Sequence, residues 1–421
     1  MIQPLRGTKD ILPDEISLWQ YLYNIIYETL TNANYHEIRT PIIENTELFL
    51  RSIGNETDII NKEMYTFTDQ GKRSITLRPE GTASIARAFI YNKLYAKSKV
   101  NKIWYLGPMF RYERPQQGRQ RQFHQLGIEY IGTKNPIADV EVIRLATKIL
   151  NKIEFKEYKL EINCIGNIEE RERYKIKLLE YLNKYEKELD DESKKRLKNN
   201  TLRILDSKNK NIQEILLEAP NLKDDLNKES LEHFNTVCEH LKYLNIPYII
   251  NNKLIRGLDY YNNTAFEIKT NKLGSQDTIC GGGRYDNLIE QLGGPQTPSV
   301  GWAIGIERLL LIAKNQLKIK EKQIKIYIAI EGKIAETRIW NIISILENKK
   351  INYELDITGS SLKKQIKRAN LMSTNICIIL NDQEVQNNYI IIKWLKIKEQ
   401  NKINLNKFEE YINKNKNSII T

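Results

Sequence analysis

Cysteine is scarce in this chain. Four residues in 421, at positions 164, 238, 280 and 377, leave no C-x-x-C pair. That spacing argues against a zinc ribbon and against a disulfide framework, and it suits a reducing compartment. Histidine is equally sparse. His36, His124, His233 and His240 show no metal-ligand spacing, and no Ser/His/Asp arrangement stands out. The chemistry expected here therefore uses no protein-bound zinc and no hydrolase triad. Long apolar runs are missing too, none approaching the roughly 18 residues that span a bilayer. The N-terminal MIQPLRGTKD has neither the apolar core of a secretory signal nor an Arg/Ser-rich leader. The expectation is a protein without a membrane span or cleavable targeting peptide, working where it is made: a bacterial cytoplasm, or the stroma of a plastid that encodes its own copy.

What is abundant is positive charge. Lys and Arg total 65 against 53 Asp and Glu, a formal net charge of +12. A basic excess fits a polyanionic partner such as RNA. Lys, Asn and Ile dominate their classes as an A+T-rich genome would dictate, so part of the excess reflects codon bias. A chain of 421 residues exceeds one core and implies two or three domains.

The apolar spacing predicts a helix over 16–30, through Leu18, Leu22, Ile25, Ile26 and Leu30. Residues 103–110 and 123–130 read as strands of a long hairpin with a polar loop at 114–121, and 136–153 is helical again. Between 165 and 244, Tyr174, Leu178, Leu182, Tyr185 and Leu189 fall at helical spacing among dense Glu and Lys, the signature of a helical insertion with solvated outer faces. The polar KNQLKIKEKQ at 314–323 marks a domain boundary. Strands at 325–330, 352–355 and 375–380 then alternate with helices at 335–348 and 361–370, giving a small, parallel-leaning α/β domain. Only the Asn/Lys-rich tail from 413 is expected to fray. The fold class is thus an α+β domain on a largely antiparallel sheet with a helical insertion (residues 1–320, insertion about 165–244), followed by an α/β domain (residues 321–421).

The chemistry-bearing motifs are RGLDYY at 256–261, GGGRYD at 281–286, LRPEGT at 77–82, FRYERPQQGRQR at 110–121 running into QFHQLGIE at 122–129, and GWAIGIER at 301–308. Arginine and tyrosine beside glycine place a fixed cation and hydroxyl donors where backbone approaches a ligand closely, suited to a small zwitterion next to a phosphate. GGGRYD is no dinucleotide loop, since no β-α-β unit with a later acidic residue surrounds it. With Pro41 in EIRTPIIENTELF, Arg111–Glu113 and Glu307–Arg308, the chain resembles the class II aminoacyl-tRNA synthetases across their three weak motifs. RGLDYY, GGGRYD and LRPEGT resemble the histidine-specific subgroup, the histidyl-tRNA synthetase family. The resemblance runs from PLRGTKDILP to SLKKQIKRA in the last hundred residues, with small departures at Trp302, Tyr112 and Asn381–Asp382.

The resemblance implies a ligase that makes histidyl-adenylate from L-histidine and ATP with Mg²⁺, then charges the 3′-terminal ribose of histidine tRNA. It implies a homodimer, and it makes the last domain the anticodon-binding one. Adenylate formation needs no protein nucleophile, so positioning and cations carry it. By resemblance, Arg111 holds the α-phosphate, Arg119 and Arg308 the distal phosphates and adenine, with Glu113 beside them, and Arg256 adds charge at the reacting phosphorus. Glu129 and Tyr261 pair with the imidazole. Glu80, with Gly81, Thr82 and Gln125, meets the α-ammonium, Arg256 and Gln125 the carboxylate, and Tyr260 and Tyr285 complete the wall. Arg114 and Gln116 are nominated as readers of the extra 5′ guanosine of histidine tRNAs. The competing readings are a regulatory paralogue and a general RNA-binding accessory protein. Retention of all site motifs argues against the first, and the site residues themselves argue against the second.

Overall fold

The computed structural model describes residues 1–54, 57, 59–116, 118–207, 209–274, 277–314 and 324–420. It divides into two compact units, Met1–Lys318 and Ile319–Thr421. From residue 315 to 323, the boundary segment expected at 314–323 lies outside the described residues.

Alternation of small and large residues builds the first unit. An eight-stranded sheet runs, edge to edge, through His36–Glu37, Asn101–Phe110, Gln122–Ile131, Ser299–Gly305, Thr278–Arg284, Asn262–Lys269, Lys159–Cys164 and Ile249–Ile250. Its central pairings are antiparallel, and only the two edge pairings are parallel. Side chains on a strand alternate between faces. On one face Leu126, Ile128, Trp302, Ile304, Phe266 and Ile268 pack against helices Pro13–Thr31, Pro136–Lys152 and Lys228–Tyr243. Each such buried side chain stabilises the fold by about 1.5–3 kcal/mol. Trp302 fills this layer and donates its indole N–H to the Val142 carbonyl at 2.7 Å.

The other face is nearly bare. Gly301 stands opposite Glu129, Ala303 opposite Gly127 and Gly305 opposite Gln125, while Gly281 and Gly283 continue the row against Ala303 and Gly301. A sheet surface without side chains is a shallow basin, and the few large residues set into it become its walls.

Helices Ile168–Asn183, Asp191–Asn199 and Lys210–Ile215 form the expected insertion, with Tyr174, Leu178, Leu182 and Leu189 buried. These inner faces belong to a second apolar cluster that also holds Tyr260, Tyr261 and Tyr285. The insertion therefore shares a core with the tyrosines that wall the basin. Helix Lys228–Tyr243, read from sequence as part of the same stretch, behaves differently: Phe234, Val237 and Leu241 pack into the main core.

In the second unit the strand order is Tyr353–Leu355, Ile326–Glu331, Ile376–Asn381, Tyr389–Trp394, Glu399–Asn404. The first three are parallel and the last two join antiparallel. Helices Lys333–Asn348, Leu362–Leu371 and Phe408–Ile420 accompany them. The tail expected to fray instead docks. Ile412 and Ile419 are buried, and Asn375 Nδ2 donates to the Ile419 carbonyl at 2.8 Å. Asparagine and lysine on its outer face masked an amphipathic helix. Asp382 caps helix Lys333–Asn348, its Oδ1 accepting from the Ile334 and Ala335 amides at 2.9 and 3.0 Å. Among the described residues no helix is long and apolar enough to cross a membrane, and no group of His, Cys, Asp or Glu is arranged to hold a metal.

Candidate active site

The basin deepens into a cavity of about 280 Å³. Glu80, Thr82, Gln125, Arg256, Tyr260 and Tyr261 line it together with Arg111, Glu113, Arg119 and Arg308. Gly81, Glu129 and Tyr285 stand directly behind that lining, as their hydrogen bonds show.

At one end LRPEGT turns from strand Ser74–Leu77 into helix Thr82–Tyr91. Both Glu80 oxygens accept backbone amides of the first helical turn, Thr82 and Ala83, each at 2.7 Å. Such amides are otherwise unpaired donors at the positive end of a helix. Burial pushes the Glu80 carboxyl up from its ordinary value, and these amides oppose the rise. Thr82 then donates its hydroxyl to Glu129 Oε1 at 2.8 Å, and Tyr285 donates to Glu129 Oε2 at 2.5 Å. Glu129 is 1% exposed. Burial, only partly offset by these two hydroxyls, lifts its carboxyl to about 8. Gly301 is required here because a Cβ would overlap the Glu129 carboxylate and the Ile128 carbonyl. Tyr260 lies 4.7 Å from Tyr261 with the rings tilted 44° and meets Tyr285 edge-on at 5.7 Å, closing the wall.

At the other end the groups are cationic. Arg111 donates from Nε to the Pro79 carbonyl at 2.8 Å and lies over the Phe123 ring at 5.4 Å. Glu113 sits between Arg119, with which it ion-pairs, and Arg111 at 3.9 Å. Arg308 bonds the Gly118 and Thr278 carbonyls at 3.2 and 2.6 Å. Backbone anchors for Arg111 and Arg308, and Glu113 for Arg119, hold three guanidinium groups around one space despite their repulsion. Arg256 crosses the sheet over Gly281, where a Cβ would overlap its guanidinium, and ion-pairs with Glu267. Its Nε is buried and hydrogen-bonds to no described residue.

Three site features escaped sequence reading. Glu267 holds Arg256, and its only signal is a cross-strand position opposite Gly281. Glu307 accepts from the His124 amide and from Nδ1, all at 2.9 Å, tying the start of helix Ile306–Lys314 to the hairpin. Tyr105 lies behind Gln125. By contrast, Arg114 and Gln116 are exposed on the hairpin loop outside the cavity, and Gln117 lies outside the described residues. Tyr112 keeps a ring under the Arg121 guanidinium at 3.7 Å. The four cysteines are free, and burial raises the Cys164, Cys280 and Cys377 thiols above their ordinary value, as expected of inert core positions.

A dry carboxyl facing hydroxyls at one end and convergent arginines at the other make a site for a small polar molecule beside phosphates. Comparison with known proteins agrees with that chemistry. Residues 7–309 match the family model for histidyl-tRNA synthetase, and residues 325–415 match that for an anticodon binding domain. The chain is 62% identical over 394 residues to the chloroplastic histidine–tRNA ligase of Gracilaria tenuistipitata var. liui, covering 94% of each. It is 50% identical over 399 residues to the histidine–tRNA ligase of Cyanothece sp. (strain PCC 7425 / ATCC 29141), covering 95% of this chain and 93% of that protein. The crystal structure of apo S. aureus histidyl-tRNA synthetase superposes with a TM-score of 0.80 at 37% identity, covering 98% of this chain and 99% of that one. The chain belongs to the histidyl-tRNA synthetase family.

Proposed function

We propose that this chain activates L-histidine with ATP and transfers the histidyl group to the 3′-terminal ribose of histidine tRNA. One observation carries the assignment of ends: a single cavity is lined at one end by Thr82, which hydrogen-bonds the buried Glu129 behind it, and at the other by Arg111, Arg119, Arg256 and Arg308. The imidazole would sit against Glu129 and Tyr261, exchanging hydrogen bonds with groups that water does not reach. Glu80 would meet the α-ammonium, since two amides leave its oxygens with further lone pairs.

The histidine carboxylate is already an anion and attacks the α-phosphate without a protein base, displacing pyrophosphate as the bond from the α-phosphorus to the bridging oxygen breaks. Arg111 and Arg256 would stabilise charge that builds on the phosphoryl oxygens, with the free Arg256 Nε as the donor not yet used. Arg119, set by Glu113, and Arg308 would grip the remaining phosphates and the adenine. Mg²⁺ would enter with ATP as part of that substrate. Arg114 and Gln116, exposed at the hairpin tip, would meet the acceptor end of the tRNA, and the second unit its anticodon arm. Lys363, Lys364 and Lys367 are exposed on helix Leu362–Leu371 for phosphate contact. Arg368 of the same helix turns inward to Asp356 at 2.5 Å.

The working form would be a homodimer, and the compartment a plastid stroma or a bacterial cytoplasm; the Gracilaria relative is named as chloroplastic. The test is histidine-dependent ATP–pyrophosphate exchange and charging of histidine tRNA by one preparation. Exchange with another amino acid, or none, would overturn the proposal.

A further inference from the structure

Two glycines, Gly81 and Gly127, enclose the Tyr105 ring, and a Cβ at either would overlap it. Tyr105 stands directly opposite Gly127 on the neighbouring hairpin strand and is 4% exposed. The glycines leave this ring a single seat, and from it the hydroxyl reaches Gln125 Oε1 at 3.3 Å. The same Oε1 accepts the Gly81 backbone amide at 3.0 Å. A backbone N–H can only donate, so the Gln125 atom it faces must be the oxygen and not the amide nitrogen. With the tyrosine hydroxyl as second donor, both lone pairs of Oε1 are in use. Gln125 Nε2 hydrogen-bonds to no described residue, and Gln125 lines the cavity.

From this geometry we infer that Tyr105 is a positioning residue for amino-acid selection: it locks the Gln125 amide so that only N–H donors face the substrate. An amide so locked binds the α-carboxylate and repels the α-ammonium. Sequence reading had placed Gln125 against both groups, and the locked orientation leaves the ammonium to Glu80 and Thr82. The inference rests on the histidine reading of the site.

L-Histidinol separates the two roles, because it keeps the imidazole and the ammonium but replaces the carboxylate by CH₂OH. The experiment measures equilibrium binding of L-histidine and of L-histidinol to the full chain without ATP. Tyr105→Phe keeps the ring and removes the hydroxyl. It should weaken histidine about tenfold and leave histidinol within about twofold, the scale of one lost buried hydrogen bond. Gln125→Glu keeps the acceptor toward Gly81 and Tyr105 but sets a carboxylate oxygen where Nε2 stood. Histidine should then bind about 10²-fold more weakly while histidinol is retained, because like charges would meet in a dry site. Should Tyr105→Phe fail to fold, Gln125→Glu decides alone. Equal losses of both ligands in either variant, or unchanged histidine binding, would overturn the inference while leaving the histidine reading in place. A wild-type chain that binds neither ligand would overturn that reading and the inference with it.

Discussion

The two ends of the cavity solve opposite electrostatic problems. Around Glu129 the protein removes charge: the carboxyl is buried, accepts from two neutral hydroxyls and, among the described residues, from no arginine, and is held near 8. Around Arg111, Arg119 and Arg308 it concentrates charge, tolerating repulsion by anchoring each guanidinium to a backbone carbonyl or to Glu113. Selection among amino acids needs a site where a missing hydrogen bond is costly, and that requires dryness. Phosphoryl transfer needs preorganised cations, which the protein must hold in place before substrate arrives. Both ends are built on a single sheet face because its glycine rows let either kind of group lie flat.

Breaking the dry end should have the largest effect. Glu129→Gln is expected to lower kcat/KM for histidine by about 10²-fold or more, with KM for ATP little changed, since an unmatched buried polar partner costs roughly 2–4 kcal/mol. Steady-state exchange kinetics at varied histidine check this, and unaltered values would make Glu129 a purely structural residue. An effect of about 10²-fold is also expected when the chain is ended between the two units, but in another assay. Exchange should persist while tRNA charging collapses, because several phosphate and base contacts go with the second unit. Near-normal charging by a soluble, folded preparation would remove the anticodon role.

At the cationic end Arg256→Ala should slow adenylate formation about tenfold or more, with histidine Kd nearly constant, if its charge acts on the transition state. Single-turnover adenylation resolves the split; intact rate with lost binding would make Arg256 a clamp. The pH dependence sharpens the contrast further. Below about 8 the empty site keeps Glu129 protonated, and above roughly 6.5 free imidazole is neutral. Within that window a complex sharing one proton forms without proton exchange. Below it a proton must be released and above it one taken up, so histidine Kd should rise about tenfold per pH unit on either side. A Kd flat from pH 5.5 to 9 would refute the shared proton. Altering Arg114 and Gln116 together should have the smallest effect, a several-fold loss in charging with exchange near wild type, on the order of one or two exposed contacts. Parallel losses in both assays would place the loop at ATP.

Much of this was legible in the residue order. The hairpin 101–131, the helix after Pro136 and the βαβ start of the second unit follow from local periodicity, and the four arginines were reached through the resemblance of their motifs to the histidyl-tRNA synthetase family. Other features were hidden because their causes are not local. Helix Phe408–Ile420 looked like a polar tail until the surface that receives Ile412 and Ile419 was known. Nothing near Arg256 in sequence announces Glu267, eleven residues on and met only through a side-chain ion pair where strand pairing sets Glu267 opposite Gly281.

The sequence by itself determined which chemical groups are present and on which strand face they fall, because alternation with period two is a property of the chain alone. It also determined where the sheet would be bare, through the glycines at 281, 283, 301 and 305. Only the tertiary structure decided the state of those groups: that burial lifts the Glu129 carboxyl to about 8, that Arg256 is paired with Glu267 and that Gln125 presents donors alone. Protonation and hydrogen-bond polarity depend on burial and on partners many residues away, and folding is what brings those together.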